Sequence, residues 1–454
     1  MKILHYLLGI PPVYNGGLVK YALDLAEGEK EKGEEVLLLI PGRKSIDKKI
    51  RIYKIEKNVS SVSCELYGLQ NALPWPGNGI KEIGDLLKEG NAEIFSAFLK
   101  WKHIDLIHVH SLMGLYKNFL VAANRLRIPV VYTTHDYYGI CLKTNLLSDR
   151  KLCTDQSGIN CPTCCKDMLD GNTLTDILYK KVIKINCVKN ILNNNTLARF
   201  LTKVEESFNK EKEASDYNVS DTYKKKINEI KAYYNEMFQL VDMFHFNSLQ
   251  TEEIFKNNLN IKNYKVIDIT HNSIEDHRCK KIFGEKLRIT YLGTLQQIKG
   301  FYLLKNVLDN LYKTRKNFEL NVFFATRQKN DEYIRYNLPY SYHDLGKIMN
   351  ETDIVVVPSI CKETFGFVVK EAISYGVPCI ITKNVGAKDW VKQFEDIAFI
   401  TDATEDALLQ AIIAVYDNRK LLYEMNENIL KMNYDFSFCR HVKEILESYK
   451  ELNE

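Results

Sequence analysis

No stretch of the sequence approaches the roughly 20 consecutive apolar residues that a membrane-spanning helix requires. The apolar start, Met1 to Ile10, is short and lacks a small-residue cleavage site, so it reads as a first strand and not as a signal peptide. Strong charge is missing as well: a net charge of +4 over 454 residues gives no argument for a nucleic-acid partner. The first loop does not carry the Gly-x-Gly-x-x-Gly fingerprint of dinucleotide-binding folds. The second strand ends in Pro41-Gly42-Arg43, with no acid placed for a ribose, which weighs against a nicotinamide-dependent oxidoreductase. With no export signal, the eleven cysteines do not read as a disulfide framework. What remains is the expectation of a cytoplasmic protein of ordinary globular composition, long enough for two domains. Its local lysine density leaves an anionic surface, such as the inner face of a membrane, as a peripheral contact.

One stretch organises the rest. Asp353 to Val357 is a short β-branched run ending at Pro358, as a buried parallel strand does. After Phe365-Gly366, the positions Val368, Val369, Ala372 and Ile373 fit a helix face, and Gly376 and Pro378 stop that helix in the usual order. Cys379 to Thr382 is the next strand. Two carboxylates, Glu363 in the loop and Glu371 in the helix, stand eight residues apart. The N–H groups at the helix start, near Phe365 and Gly366, suit a phosphate or diphosphate.

The chain opens in the same style. Residues 3–9 read as a strand, Gly16-Gly17 opens a helix with Leu18, Tyr21, Ala22, Leu25 and Ala26 on one face, and Val36 to Ile40 is a second buried strand. This is the start of a doubly wound α/β sheet. Two later strands end in histidines, Ile104 to His110 and Val130 to Asp136 with His135. Ligands of open α/β sheets bind beyond the carboxyl ends of the strands, which places both histidines for function.

The string Glu363, Phe365, Gly366, Glu371, Ala372, Gly376, Pro378, Gly386 resembles the donor-site motif of retaining glycosyltransferases of the GT-B fold, the family 4 type. Gly16-Gly17, His108-Val109-His110, Thr134-His135-Asp136 and the segment Gly293 to Gly300 resemble further motifs of that family. The resemblance covers nearly the whole chain except about 166–235. It implies an α/β GT-B architecture of two Rossmann-like doubly wound domains facing across a cleft. The acceptor-side domain is expected over 1–275 with the returning helix 436–454, and the nucleotide-sugar domain over 276–435. It also implies transfer of a sugar, with retention, from a UDP- or GDP-linked donor to a saccharide or lipid-linked acceptor, in surface polysaccharide or glycolipid assembly.

The resemblance assigns roles residue by residue. Glu363 and His135 contact the transferred sugar, and Glu371 takes the ribose hydroxyls. Lys299, with the Phe365-Gly366 helix start and the Gly16-Gly17 loop, holds the diphosphate, and His110 is a supporting or acceptor-side residue. Many sugar transferases of another fold bind a divalent metal through Asp-x-Asp. That string occurs nowhere here, so the chemistry is expected to need no metal ion or other cofactor. Thr294 stands where the family has an arginine, and Arg327 is a candidate to replace its charge. The same departure leaves open a non-catalytic glycosyltransferase-like partner subunit. A GT-B sugar-nucleotide epimerase would share the fold.

Two features lie beside that motif set. Cys141, Cys153, Cys161 and Cys164, with Cys165 adjacent, offer four thiolates for a structural zinc ion. A similar cysteine-rich loop occurs in a subset of the family. Residues 166–235 form a Lys- and Asn-rich helical insertion. Leu174, Ile177, Leu178, Val182, Ile185 and Val188 pattern an amphipathic helix with a lysine face, fit for a membrane surface or an anionic acceptor.

Overall fold

The computed structural model describes all residues except 57–61, 76–82, 149–150, 154, 156–157, 166–220, 324–331 and 453–454. Most of the expected insertion, including the lysine-faced helix, and Arg327 lie outside the described residues. No described helix is long and apolar enough to cross a membrane.

Two compact units divide the chain: residues 1–132, 137–144 and 154–242, and residues 133–136, 145–153 and 243–454. In the first unit, β1 (Lys2–Tyr6), β2 (Glu35–Pro41), β3 (Arg51–Lys54), β4 (Glu65–Gln70), β5 (Leu106–Val109) and β6 (Val130–Thr133) stand in the order β6-β5-β1-β2-β4-β3. All neighbours are parallel except β3, which runs antiparallel on β4. The expected strands are present but shorter, so that His110 and His135 fall just past the ends of β5 and β6. The helix Gly17–Glu31 buries Val19, Tyr21, Ala22, Leu25 and Ala26, four of which are on the face foreseen from the sequence. The described end of the insertion is the helix Asp221–Gln239, whose Ile227, Ile230, Tyr234 and Met237 are buried at a helical spacing. Tyr234 shares a hydroxyl hydrogen bond of 2.8 Å with Tyr138.

In the second unit, β7 (Leu147–Ser148) and β8 (Lys151–Leu152) pair antiparallel, and β9 (Met243–Phe246) and β10 (Tyr264–Val266) pair in parallel. A six-stranded parallel sheet follows: β11 (Leu287–Tyr291), β12 (Phe318–Phe323), β13 (Ile334–Asn337), β14 (Ile354–Val357), β15 (Cys379–Thr382) and β16 (Ala398–Thr401). Their order is β13-β12-β11-β14-β15-β16. β14 and β15 are buried at every position, as central parallel strands covered on both faces must be. Leu304, Val307, Leu308 and Leu311 of the helix Phe301–Tyr312 pack with Leu408, Ile412 and Val415 of the helix Glu405–Asp417 over Ile289, Leu320, Val322 and Ile354. Each such side chain contributes roughly 1.5–3 kcal/mol by leaving water. The order reverses direction between β11 and β14, so the loops after these two strands flank the switch point where an open sheet binds its ligand.

Candidate active site

The loop after β14 carries the first carboxylate. Gly366 caps the helix Phe367–Ser374 at φ 105, a conformation that favours glycine, and a Cβ there would stand 2.8 Å from Val385. The helix therefore starts at Phe367, and its first turn sends N–H groups back past Gly366. Phe365 does not face solvent: it is buried, edge-on to Phe367, and seats the loop.

Glu363 is fixed at backbone and side chain. Its N–H donates to Asn384 O at 2.8 Å, and its C=O accepts from Gln250 Nε2 at 2.8 Å and from the Gly386 N–H at 3.1 Å. Its Oε1 accepts from Ser359 Oγ and pairs with Lys299 Nζ at 3.2 Å. Lys299 reaches it because the loop after β11 is zipped to the loop after β14. Ile298 O accepts the N–H groups of Ile360 and Cys361 at 3.0 and 3.2 Å. Gly300, at φ 76, lies so close that a Cβ would stand 1.8 Å from Pro358 O. Burial opposes the charge on Lys299, but the Glu363 carboxylate more than offsets this and its pKa is raised. Thr294 brings no charge to this site; its C=O accepts the Tyr291 hydroxyl at 2.6 Å.

Glu371 sits on the second turn of the helix, 3% exposed. Its Oε1 accepts from His271 Nε2 at 3.0 Å, while Oε2 is buried with no hydrogen-bond partner. An ionised carboxylate oxygen left so is costly unless a ligand completes it.

His135 belongs to the same unit as these groups. Its C=O accepts from Thr364 Oγ1 at 3.3 Å, so it stands against the Glu363 loop. Thr134 beside it is pinned to His245 O through its N–H at 3.0 Å. Burial, with His245 adding to it, holds the His135 imidazolium down to about 3, so the ring is neutral at physiological pH. The second unit thus brings together His135, Lys299, Glu363, Phe365, Gly366 and Glu371. The sequence reading missed His271, Ser248 and Gln250. Ser248 Oγ donates to Thr364 O at 2.8 Å, and Gln250 grips Glu363 O; both flank the start of the helix Leu249–Asn258. Their only local signal was a serine at a helix N-cap.

Gly16, Gly17 and His110 lie in the first unit. Gly16, at φ 138, caps the helix Gly17–Glu31, and a Cβ there would point into open space. His110 is fully buried, edge-on to Tyr21, with Nε2 2.9 Å from His5 Nδ1. His5 Nε2 in turn lies 2.6 Å from Glu29 Oε2. The ligand nitrogens of His5, His108 and His110 all lie within 4.8 Å of one another, yet both nitrogens of His5 are engaged. His110 is therefore held, just past the end of β5, by a buried chain that ends on a carboxylate.

Among the described residues no disulfide joins any cysteine. Cys161–Cys164 is one helical turn, and the Cys165 N–H closes on Cys161 O at 2.8 Å. The Cys164 thiol, burial, and the thiols of Cys141 and Cys161 together push the Cys165 thiol far up. Cys165 therefore shares the neighbourhood of Cys141, Cys161 and Cys164; Cys153 belongs to the second unit.

Comparison with known proteins matches both halves. Residues 15–152 fit the family model described as Glycosyltransferase Family 4, and residues 272–432 the model described as Glycosyl transferases group 1. A probable sucrose-phosphate synthase of Vicia faba is 26% identical over 174 residues, which is 37% of this chain and 16% of that protein. Sucrose-phosphate synthase 4 of Arabidopsis thaliana is 26% identical over 114 residues, 25% of this chain and 11% of that protein. The chain thus aligns with less than a fifth of the length of these curated relatives. Among solved structures, a glycosyltransferase from Rickettsia africae superposes with a TM-score of 0.58 at 14% identity, covering 100% of this chain and 98% of that one. The HepE protein of Anabaena, in complex with UDP and glucose, superposes at 0.55 with 13% identity, covering 99% of both chains. At these identities the structural likeness is one of fold, and the fold is GT-B.

Proposed function

The chain belongs to the family 4 type of GT-B glycosyltransferases, and on that premise we propose that it moves a sugar, with retention, from a nucleotide-sugar donor to a hydroxyl acceptor. The observation that carries the reading is the Lys299–Glu363 pair, 3.2 Å apart, beside a glycine-capped helix start, with Glu371 one turn further on. The UDP and glucose bound by the Anabaena structure support a nucleoside-diphosphate leaving group.

In this reading Lys299 and the N–H groups at Phe367 neutralise the charge that grows on the diphosphate as the glycosidic bond breaks. Glu363 and the neutral His135 hold the sugar hydroxyls, and Glu371 the ribose. The acceptor hydroxyl attacks on the face from which the diphosphate departs, and a leaving phosphate oxygen takes its proton, so no protein base and no metal ion is required. The donor is UDP- or GDP-linked. The acceptor is a saccharide or a lipid-linked saccharide of surface polysaccharide or glycolipid assembly, met in the cytoplasm at the inner membrane face. A structural zinc in the cysteine-rich loop belongs to the same reading.

Thr294 favours a second reading, a partner subunit that keeps the fold without catalysis. A thermal-shift panel of UDP, GDP, ADP and their common sugar conjugates separates the two. Transfer predicts that one nucleotide raises Tm by several degrees at saturating concentration and that its sugar conjugate is consumed when acceptor is supplied. No shift with any member contradicts it.

A further inference from the structure

Glu371 is not a free carboxylate. One of its two oxygens is already used by the protein, and the group that uses it is itself held in place. His271 is fully buried, and its ring lies 4.7 Å from that of Tyr342 and 5.1 Å from that of Phe367. The Ser273 N–H donates to Nδ1 at 3.3 Å, so Nδ1 is an acceptor and the proton sits on Nε2. That proton points at Glu371 Oε1, 3.0 Å away.

The segment that carries His271 is gripped a second time by the residue next to Glu371. Lys370 is fully buried and pairs with Asp268; it also donates to Ile269 O at 3.1 Å and to Tyr434 Oη at 2.9 Å. Residues 370 and 371 of one helix therefore both bind the segment 268–271. The carboxylate cannot turn to exchange its two oxygens without breaking the His271 bond. Oε2, buried and without a partner, is the oxygen left over. Burial keeps the phenols of Tyr340 and Tyr375 protonated; the charge of Glu371 adds to it at Tyr340, and at Tyr375 after that of Glu275.

We infer that His271 is a positioning residue that fixes Glu371 through Oε1, so that a nucleoside diphosphate meets a single carboxylate oxygen, Oε2, and one of its two ribose hydroxyls is recognised far more strongly than the other. The inference rests on the donor-site reading above. It adds an asymmetry that a freely rotating carboxylate, able to take both hydroxyls, would not have.

The test is calorimetric titration of the full chain with UDP, GDP and ADP, followed by the 2′-deoxy and 3′-deoxy forms of whichever binds. The expected result is a loss of about 10- to 100-fold for one deoxy form and less than about 3-fold for the other, in line with one hydrogen bond to a charged acceptor. His271→Ala should weaken the ribonucleotide about 10-fold and bring the two deoxy forms together. His271→Gln, which keeps an N–H donor toward Oε1, should restore both affinity and discrimination. Equal losses for the two deoxy forms, or no loss for either, would overturn the inference. So would a folded His271→Ala protein that binds and discriminates as the wild type does. Should His271→Ala not fold, the wild-type deoxy pair and His271→Gln still decide. If the wild type binds none of the three diphosphates, the donor-site reading falls, and this inference with it.

Discussion

At the scale of single residues, Glu363 and Glu371 have different surroundings and should fail differently. Glu363 shares Oε1 between Ser359 and Lys299, where the proposed function has charge develop during transfer. Glu371 is tied to His271 in the body of the unit. Steady-state kinetics with the cognate donor should show Glu363→Ala lowering kcat by about 100-fold or more, a size usual for lost transition-state contacts. Glu371→Ala should mainly raise donor KM. Equal and negligible effects would remove both assignments. The histidines of this unit predict a pH dependence of stability. His135 and His245 are both held down to about 3, chiefly by burial, while the unfolded chain takes up those protons near 6.5. Between these values the unfolded state binds more protons, so this contribution is fully present above 6.5 and is lost as pH falls toward 3. Melting temperature should therefore drop steadily from pH 7 to pH 4.5, and His245→Gln should flatten that slope. The two carboxylates were legible in the sequence because their spacing lies within one loop and helix. His271 was not: it acts across 100 residues on Glu371, and nothing local distinguishes it.

At the scale of elements, the strand–loop–helix–strand unit around Glu363 was legible for a physical reason. A β-branched run buried on both faces, a glycine at the helix cap and a Gly-x-Pro stop each write a local conformation into the sequence. The helix begins at Phe367, directly after the glycine, because Gly366 itself is the cap. What holds the loop was not legible. Ser248 and Gln250 bond to Thr364 O and Glu363 O from more than 110 positions away. The Glu29–His5–His110 chain likewise needs the pairing of β1 with β5 and the packing of a helix before its members meet. Gly300→Ala tests the joint between two loops. Its Cβ would collide with Pro358 O and meet an unfavourable φ, and backbone rather than a flexible side chain must yield. A loss of several degrees in Tm is expected, together with at least a 10-fold loss of nucleoside-diphosphate affinity as Lys299 shifts. An unchanged affinity in this variant would mean that Lys299 does not depend on the joint.

At the scale of the whole molecule, two largely parallel sheets in two compact units, each matched by a glycosyltransferase family model, carry the fold. Strand sequence and helix faces announced that class. The Lys- and Asn-rich stretch was expected as a helical insertion from its apolar spacing, and most of it lies outside the described residues. Its end is nonetheless a well-packed helix, Asp221–Gln239. The cysteine cluster gives a prediction at this scale too. Elemental analysis of the purified chain should find about one equivalent of zinc, and less than a tenth of an equivalent would end the proposed metal.

In the proposed function, Lys299 beside Glu363 marks the place where a nucleoside diphosphate is held. Calorimetric titration of the wild type and of Lys299→Ala with the diphosphate that binds is its most direct measurement. The expected result is saturable one-to-one binding by the wild type and at least about a 10-fold higher dissociation constant for the variant, with the fold intact by circular dichroism. A variant that binds the diphosphate as tightly as the wild type would contradict it.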